Sequence, residues 1–463
     1  MIGVIGIIIS LGLLMYLAYR GWSVIILAPV LALFASLFAV FSGGDVHLLA
    51  TYTESFMSNL ANYVRTYFPI FLLGALFGKV MDDSGAAKSI ASFITRKAGK
   101  GKEIWAVVLS CAIITYGGVS LFVAVFAIYP IGVALFRNSD IPKRLLAPAI
   151  ALGAFTFTMT ALPGSPQIQN AIPMKYFGTD AFAAPILGIV ATLIMLFGGM
   201  WWLENRLKKY KAAGEGYGDH NDSHLQGIDE SNLPSFLFSI LPILVVLIGN
   251  LIFSKLVFPN VNGSYLETDY GTTLSAVAGN WSLLCALLLG VILAILLNYK
   301  RFPNGIVNCL KDGVQGSFLA IMNTASEVGY GNVIKTLAGF TIVATAIVNV
   351  SSNPLIGTAI SSSVLAGVTG SASGGLSIAL DTFGKTFLEW ANTAGINPQV
   401  LHRVAAVACG GLDTLPHNGA VITLLGVCGL THKESYVNIG MLTVVIPLIS
   451  CAVIIILGTF GIC

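Results

Sequence analysis

Six stretches of the chain, 3–19, 22–42, 181–203, 234–258, 279–299 and 436–459, together hold a single charged residue, Lys255. Each comes close to the ~20 apolar residues that an α-helix needs to cross a bilayer's hydrocarbon layer. The remainder does not supply a charged surface to compensate. Lys plus Arg number 24 and Asp plus Glu 21, about 10% of 463 residues, against roughly 25% in soluble globular proteins. Lipid is therefore the main solvent, which excludes a soluble enzyme, a nucleic-acid binder and a disordered scaffold. No basic segment precedes the first stretch and no cleavage site follows it, so it reads as a retained helix and not a signal peptide. The seven cysteines, at 111, 285, 309, 409, 428, 451 and 463, lack metal or redox spacing and read as small buried hydrophobes.

Shorter or interrupted apolar segments lie at 67–81, 104–136, 145–177, 317–331, 340–350, 357–389 and 399–430. Basic residues in short loops set their orientation. Arg206, Lys208, Lys209 and Lys211 open a polar linker, 204–232, which is expected in the cytoplasm; loop 259–278 has Glu267 and Asp269 but no Lys or Arg, and is expected outside. Both termini then lie outside. The run 104–136 is flanked by Arg96, Lys97, Lys100 and Lys102 on one side and Arg137, Lys143 and Arg144 on the other. Two cytoplasmic flanks require an even number of crossings, yet 33 residues are too few for two full spans of ~20. A re-entrant hairpin turning at Tyr116–Ser120 satisfies both conditions, and such backbone is tolerated only where protein buries it or it lines a cavity. One long tilted helix is the alternative.

Short matches recur at a constant spacing of 253 residues: Gly78-Lys79-Val80-Met81 with Gly331-Asn332-Val333-Ile334, Gly117-Gly118-Val119-Ser120 with Gly370-Ser371-Ala372-Ser373, and Leu162-Pro163 with Leu415-Pro416. This predicts a second hairpin over 357–389 with its tip at Thr369–Ser373. By the charge rule 67–81 runs inward and 317–331 outward, so the repeats are inverted, as in secondary transporters whose substrates bind at the midplane between discontinuous helices.

The interruptions carry the polar chemistry. Pro163 and Pro166 must unwind the segment Thr158–Asn170, because proline lacks an N–H and disfavours helix in the residue before it. The helix resuming near Pro166 presents unpaired N–H groups suited to a carboxylate, with Gly164, Ser165, Gln167 and Asn170 beside them. A simple proline kink is the alternative. The second break, Gly410–Gly419, contains Asp413, Thr414, His417 and Asn418. Ionisable groups at membrane depth are costly and mark ion or proton paths. Asp413, His417 and Glu327 are therefore the candidate coupling residues, in that order, and a structural cap is the alternative for each. The tips add Gly117, Gly118, Ser120, Gly370, Ser371 and Ser373, giving backbone and hydroxyl groups without Lys or Arg. That composition suits a small monoanion, or sodium held by carbonyl and hydroxyl oxygens.

The segments Phe77–Ala86, Gly370-Ser371-Ala372-Ser373-Gly374-Gly375 and Asp413–Gly419 resemble the gluconate permease family of bacterial secondary transporters, over about residues 3–460. Within it, Leu162-Pro163-Gly164-Ser165-Pro166-Gln167 departs from the Pro- and His-rich stretch of the sugar-acid members and is more similar to the branch of 3-hydroxybutyrate permeases. The resemblance implies an all-α polytopic membrane protein of the ion-transporter superfamily, a homodimeric elevator with inverted repeats, opposed re-entrant hairpins and broken helices. The expected division is scaffold helices 1–66, a first repeat 67–203 (hairpin 104–136, broken helix 145–177), the linker 204–232, scaffold helices 233–316 and a second repeat 317–463 (hairpin 357–389, broken helix 399–430). The expected activity is symport of a small organic monocarboxylate such as 3-hydroxybutyrate with a cation, the proton first, across the bacterial inner membrane. Gluconate or a related sugar acid, or sodium coupling, is the alternative. No cofactor, metal or nucleic acid is expected; membrane lipid is. An intramembrane enzyme lacks an HExxH site or an obvious nucleophile–base pair here. A channel would favour one continuous polar lining over two interrupted sites.

Overall fold

The computed structural model describes every residue except Met1, Gly21, Lys100, Asn221, 223–232, Thr341, Val343, Ala344, 346–349 and His417. The described residues form helices and no strands. The first half contains α1 (Ile2–Tyr19), α2 (Val24–Phe41), α3 (Leu48–Asp83), α4 (Ala86–Ala98), α5 (Glu103–Tyr116), α6 (Leu121–Asn138), α7 (Leu146–Ala154), α8 (Ile168–Phe177) and α9 (Pro185–Ala212). The second contains α10 (Phe236–Asn260), α11 (Leu274–Leu297), α12 (Ile306–Thr336), α13 (Pro354–Thr369), α14 (Ala372–Thr393), α15 (Pro398–Leu412), α16 (Gly419–Cys428) and α17 (His432–Thr459). Six helices, α2, α3, α9, α10, α11 and α17, are long and apolar enough to cross a membrane.

Their exposed sides are apolar. On α9, Ile186, Ile189, Leu193, Phe197 and Trp201 form one exposed stripe at helical spacing, and Leu244, Ile248 and Leu251 do the same on α10. Such stripes are stable against acyl chains, where the helix satisfies its own backbone groups. The chain is a membrane protein.

Helix starts in the second half are built from local side-chain caps. Asn353 and Asn397 each precede a proline and accept the N–H two residues on, both at 2.9 Å. Pro354 and Pro398 then occupy the first helical turn, where no N–H is needed.

The 253-residue spacing recurs where α5 and α13 end, while the starts of α5 and α13 (103 and 354) and of α6 and α14 (121 and 372) are 251 apart. Tyr116 closes α5 and Thr369 closes α13, and 369 − 116 = 253. Counterpart helices pack against each other in opposite directions. Along α3 and α12, Phe56 meets Gly329 while Leu76 meets Gly313. Along α9 and α17, Ala191 meets Ser450 while Trp202 meets Asn438. The halves also exchange their broken helices: α8 packs on α14 and α15, and α16 packs on α6 and α7. This is the contact pattern of an internal two-fold.

Two segments are longer than their hydropathy indicates. The helix carrying 67–81 begins at Leu48 and the one carrying 317–331 begins at Ile306. The boundaries expected at 66/67 and 316/317 therefore fall inside continuous helices. The early turns of α3 hold Glu54, Asn59, Asn62, Arg65 and Thr66. These lower the local hydropathy, and the helix runs on through them with one π-helical turn at Thr51–Phe56.

Candidate functional site

Both expected tips are where a helix stops and restarts. α5 ends at Tyr116 and α6 begins at Leu121; α13 ends at Thr369 and α14 begins at Ala372. Gly118 has φ +98°, and a Cβ there would meet Pro166 at 2.9 Å. Glycine is thus needed for both the turn and the close approach.

Each tip is tied to the broken helix of its own half. Gln167 donates to the carbonyls of Thr115 (2.7 Å) and Val119 (3.2 Å), and Tyr116 donates to the carbonyl of Pro163 (2.7 Å). In the second half Asn418 donates to the carbonyl of Gly370 at 2.8 Å while its own oxygen caps Val421 N–H. The residue that matches Asn418 is therefore Gln167, and not Ser165 as the fixed offset indicates. Both occupy the cap position before the resuming helix. The resuming helices start at 168 and 419, so the spacing falls from 253 to 251 across the break.

Other expected residues serve the fold. Ser165 is buried and donates to the carbonyl of Thr158 at 2.6 Å. Asn170 spends both amide hydrogens on the carbonyls of Ser165 and Ala181. Gly164, at φ +81°, packs on Phe182. Thr414 faces away toward α17, bonded to Thr443 at 2.7 Å. Ser371 caps α14 by accepting from Gly374 N–H, and Ser373 is buried in the first turn. Gly117 packs on Ile243 of α10. Ser120 lies in the tip just before α6. His417 lies outside the described residues.

Two buried carboxylates remain. Glu327, on α12, is 6% exposed and reaches the start of α14, beside Ser371 and Gly374. Asp413, at the end of α15, is 9% exposed. Each has one carboxyl oxygen without a protein partner. A carboxylate in that condition is expensive unless a proton, another cation or water joins it.

The tips carry no Lys or Arg, but an arginine reaches one of the breaks. Arg403 of α15 is completely buried at the first break. Its five N–H contacts go to Ala183 O (3.1 and 2.7 Å), Ala181 O (3.5 Å), Thr160 O (3.3 Å) and Asn170 Oδ1 (3.0 Å). No carboxylate is among these partners. The adjacent His402 bonds Asn170 Oδ1 (3.1 Å) and Thr179 (2.6 Å), so a second histidine joins a break besides the expected His417. Since Asn170 has used its amide hydrogens, His402 must donate from Nε2, and Nδ1 is free to accept from Thr179. Sequence proximity missed this pair because it lies seven to eight residues before its own break, Gly410–Gly419, and folds onto the other one. The signal was an Arg in the apolar run 400–412.

The sequence pattern of the GntP family permeases matches residues 2–460. The chain belongs to that family. It is 43% identical over 453 residues to an uncharacterised transporter, YxjC, of Bacillus subtilis strain 168, covering 95% of both chains. A gluconate permease of the same organism is 36% identical over 134 residues, 28% of each chain. Among solved structures the permease resembles the YdaH transporter of Alcanivorax borkumensis (TM-score 0.54, 14% identity, 89% of both chains). It also resembles MtrF of Neisseria gonorrhoeae (TM-score 0.54, 13% identity, 95% of this chain and 94% of that one). At these identities the two structures establish likeness of fold.

Proposed function

We propose that this permease carries a small hydroxy-monocarboxylate across the bacterial inner membrane in symport with a cation. The observation that carries the reading is the pair of tips, each bridged to a helix break, in halves that exchange their broken helices. The backbone N–H groups and carbonyls of both halves, on this proposal, serve one substrate centre, as alternating access requires. In this reading α5–α6 and α13–α14 are re-entrant hairpins entering from opposite sides, with both termini outside and the linker in the cytoplasm. Two such chains form an elevator dimer, with α1–α2 and α10–α11 as the static part.

Candidate substrates are 3-hydroxybutyrate, favoured by Leu162–Gln167, and gluconate, favoured by the name of one relative. Both present a carboxylate and a hydroxyl. The coupling cation is assigned to the unpartnered oxygens of Glu327 and Asp413, the proton before sodium. Arg403 changes the charge balance. Its donors are all engaged, so it does not clamp the substrate, but its charge lowers the cost of bringing an anion to this depth.

Reconstituted vesicles given labelled 3-hydroxybutyrate and gluconate, under separate proton and sodium gradients, test this. One substrate should accumulate under one gradient. Glu327→Gln or Asp413→Asn should abolish accumulation yet spare exchange. If no hydroxy-monocarboxylate accumulates under either gradient, the proposal fails.

A further inference from the structure

Away from the breaks, α3, α8, α12 and α14 line a partly open polar chamber of ≈ 120 Å³. Its lining includes Tyr63, Tyr67, Tyr176, Lys175, Lys335 and Asp381. That volume exceeds the roughly 10–15 Å³ needed for one water by enough to take several waters or one small organic molecule. Tyr63 and Tyr67 are 5% and 2% exposed, their rings are 4.7 Å apart, and neither hydroxyl makes a well-formed hydrogen bond to protein, Ser377 standing beside that of Tyr63. Buried hydroxyls are normally satisfied, so two in one chamber point to an occupant that the protein does not itself provide.

The chemistry of the lining selects that occupant. Tyr176 donates to the carboxylate of Asp381, and Lys335 donates to the Asp381 carbonyl at 2.7 Å. Two ammonium groups therefore stand against one carboxylate that already holds a phenol. The unspent groups are mainly donors. Acceptors for a hydroxyl are also present: Asn59 and Asn332 spend amide hydrogens on Ser55 O (2.8 Å) and Val328 O (3.0 Å), which leaves their oxygens. The chamber also borders the second tip. Val328 lines it, and the neighbouring Glu327 reaches Ser371 and Gly374. Ser377, whose hydroxyl is likewise buried without a well-formed hydrogen bond, lies one turn beyond Ser373.

We propose that this chamber is a loading site for a small hydroxy-carboxylate. The ammonium groups and the paired phenols hold the anion before it moves to the tip of the second hairpin. On the orientation given above the chamber faces outside. The identity of the anion rests on the proposed function; the anion selectivity of the chamber does not.

The test uses the full-length protein in liposomes with Cys285 and Cys463 changed to serine, since the other five cysteines are buried. Thr66→Cys, and separately Asn332→Cys, place a thiol in the lining. Reaction rates are measured with an anionic sulfonatoethyl and a cationic trimethylammonioethyl thiosulfonate, each normalised to its rate with a free thiol in solution. The anionic reagent should be favoured at least about threefold, the effect of one net charge at ~6 Å in a watery site. Lys175→Gln with Lys335→Gln should remove the preference. Saturating 3-hydroxybutyrate or gluconate should slow the anionic reagent, and Tyr63→Phe with Tyr67→Phe should cancel that protection. Equal or cation-favouring rates, a preference that survives loss of both lysines, or thiols that react with neither reagent at both positions would overturn the proposal. An anion preference without protection by either carboxylate keeps the anion site and rejects the substrate class. Carboxylate accumulation without an anion preference rejects the chamber alone.

Discussion

Replacing Arg403 separates the structural role seen in its contacts from the electrostatic role proposed for it. Arg403→Met leaves four oxygens, on Thr160, Ala181, Ala183 and Asn170, without their charged donor. At about 1.5–3 kcal/mol per hydrogen bond to a charged group, the gross loss is ~6–12 kcal/mol. Releasing a buried cation from its desolvation cost returns several kcal/mol. The net destabilisation is therefore about 4 kcal/mol, near the upper end of single substitutions. Charge adds a second effect. For a carboxylate about 10 Å from the guanidinium, at an effective dielectric of ~20, the attraction is about 1.7 kcal/mol, or roughly 15- to 20-fold in affinity. Arg403→Lys keeps the charge but offers three donors in place of five. Thermal unfolding of purified protein, with binding of labelled 3-hydroxybutyrate and gluconate, reads both effects. Both variants should unfold earlier; Lys should bind within about threefold of wild type, and Met at least tenfold more weakly. A Met variant as stable as wild type and with unchanged affinity would refute both roles at once.

Two further outcomes follow from the cap and linker contacts. Asn418→Ala and Gln167→Ala each remove a bridge from a resuming helix to a tip, of about 1 kcal/mol; each should weaken substrate binding several-fold with near-normal expression, and unchanged affinity in both would place the site elsewhere. Asp222 docks the linker by accepting from Lys143 (2.8 Å), Tyr217 (2.6 Å) and Tyr129 (3.2 Å). Burial alone would raise its carboxyl, but Lys143 and Tyr217 outweigh this and hold it below the usual carboxylate range. A lowered folded value means that the docking is fully present above the unfolded value of ~4 and is lost as pH falls through the lower folded one. Chymotryptic cleavage after Tyr217, normalised at each pH to the protease's rate on an unstructured peptide, should therefore be flat between about pH 5 and 8, and about tenfold faster in Asp222→Asn. Equal rates in the two proteins would mean that Asp222 does not hold the linker.

Periodicity and the close pair Pro163 and Pro166, set among polar residues, made the first helix break legible, whereas the single prolines Pro29, Pro69, Pro130 and Pro242 lie inside continuous helices. The turn at Gly117–Gly118 and the restart after Gly370 follow from the same local reasoning. What escaped was set by tertiary contact. Ser165 looked like a ligand group because it is polar and central, yet its hydroxyl closes a seven-residue loop onto Thr158. Gln167 took the bridging role because the second break is two residues shorter, a shift that a fixed offset hides. Arg403 escaped because its partners are carbonyls of residues 160–183, and backbone oxygens leave no mark in a sequence.

The same offset exposes a division of labour. Adding 253 takes Gly74 to Glu327, Thr160 to Asp413 and Ile150 to Arg403. The halves share a backbone plan, while these buried ionisable groups belong to the second. The first break consequently depends on a side chain from the other half. Arg403 fixes the carbonyls of Thr160, Ala181 and Ala183, and α15, which carries it, ends at Asp413. A change in the charge of Asp413 is thus made at the end of the helix that holds the unwound backbone of the first break. In the coupling role proposed for Asp413, loss of its proton would favour a different position of α15, because an unpaired carboxylate seeks water. Any such movement must carry the guanidinium and its four oxygens with it. In that proposal one helix, α15, links the carboxylate of the second break to the unwound backbone of the first, without a chain of intermediate side chains.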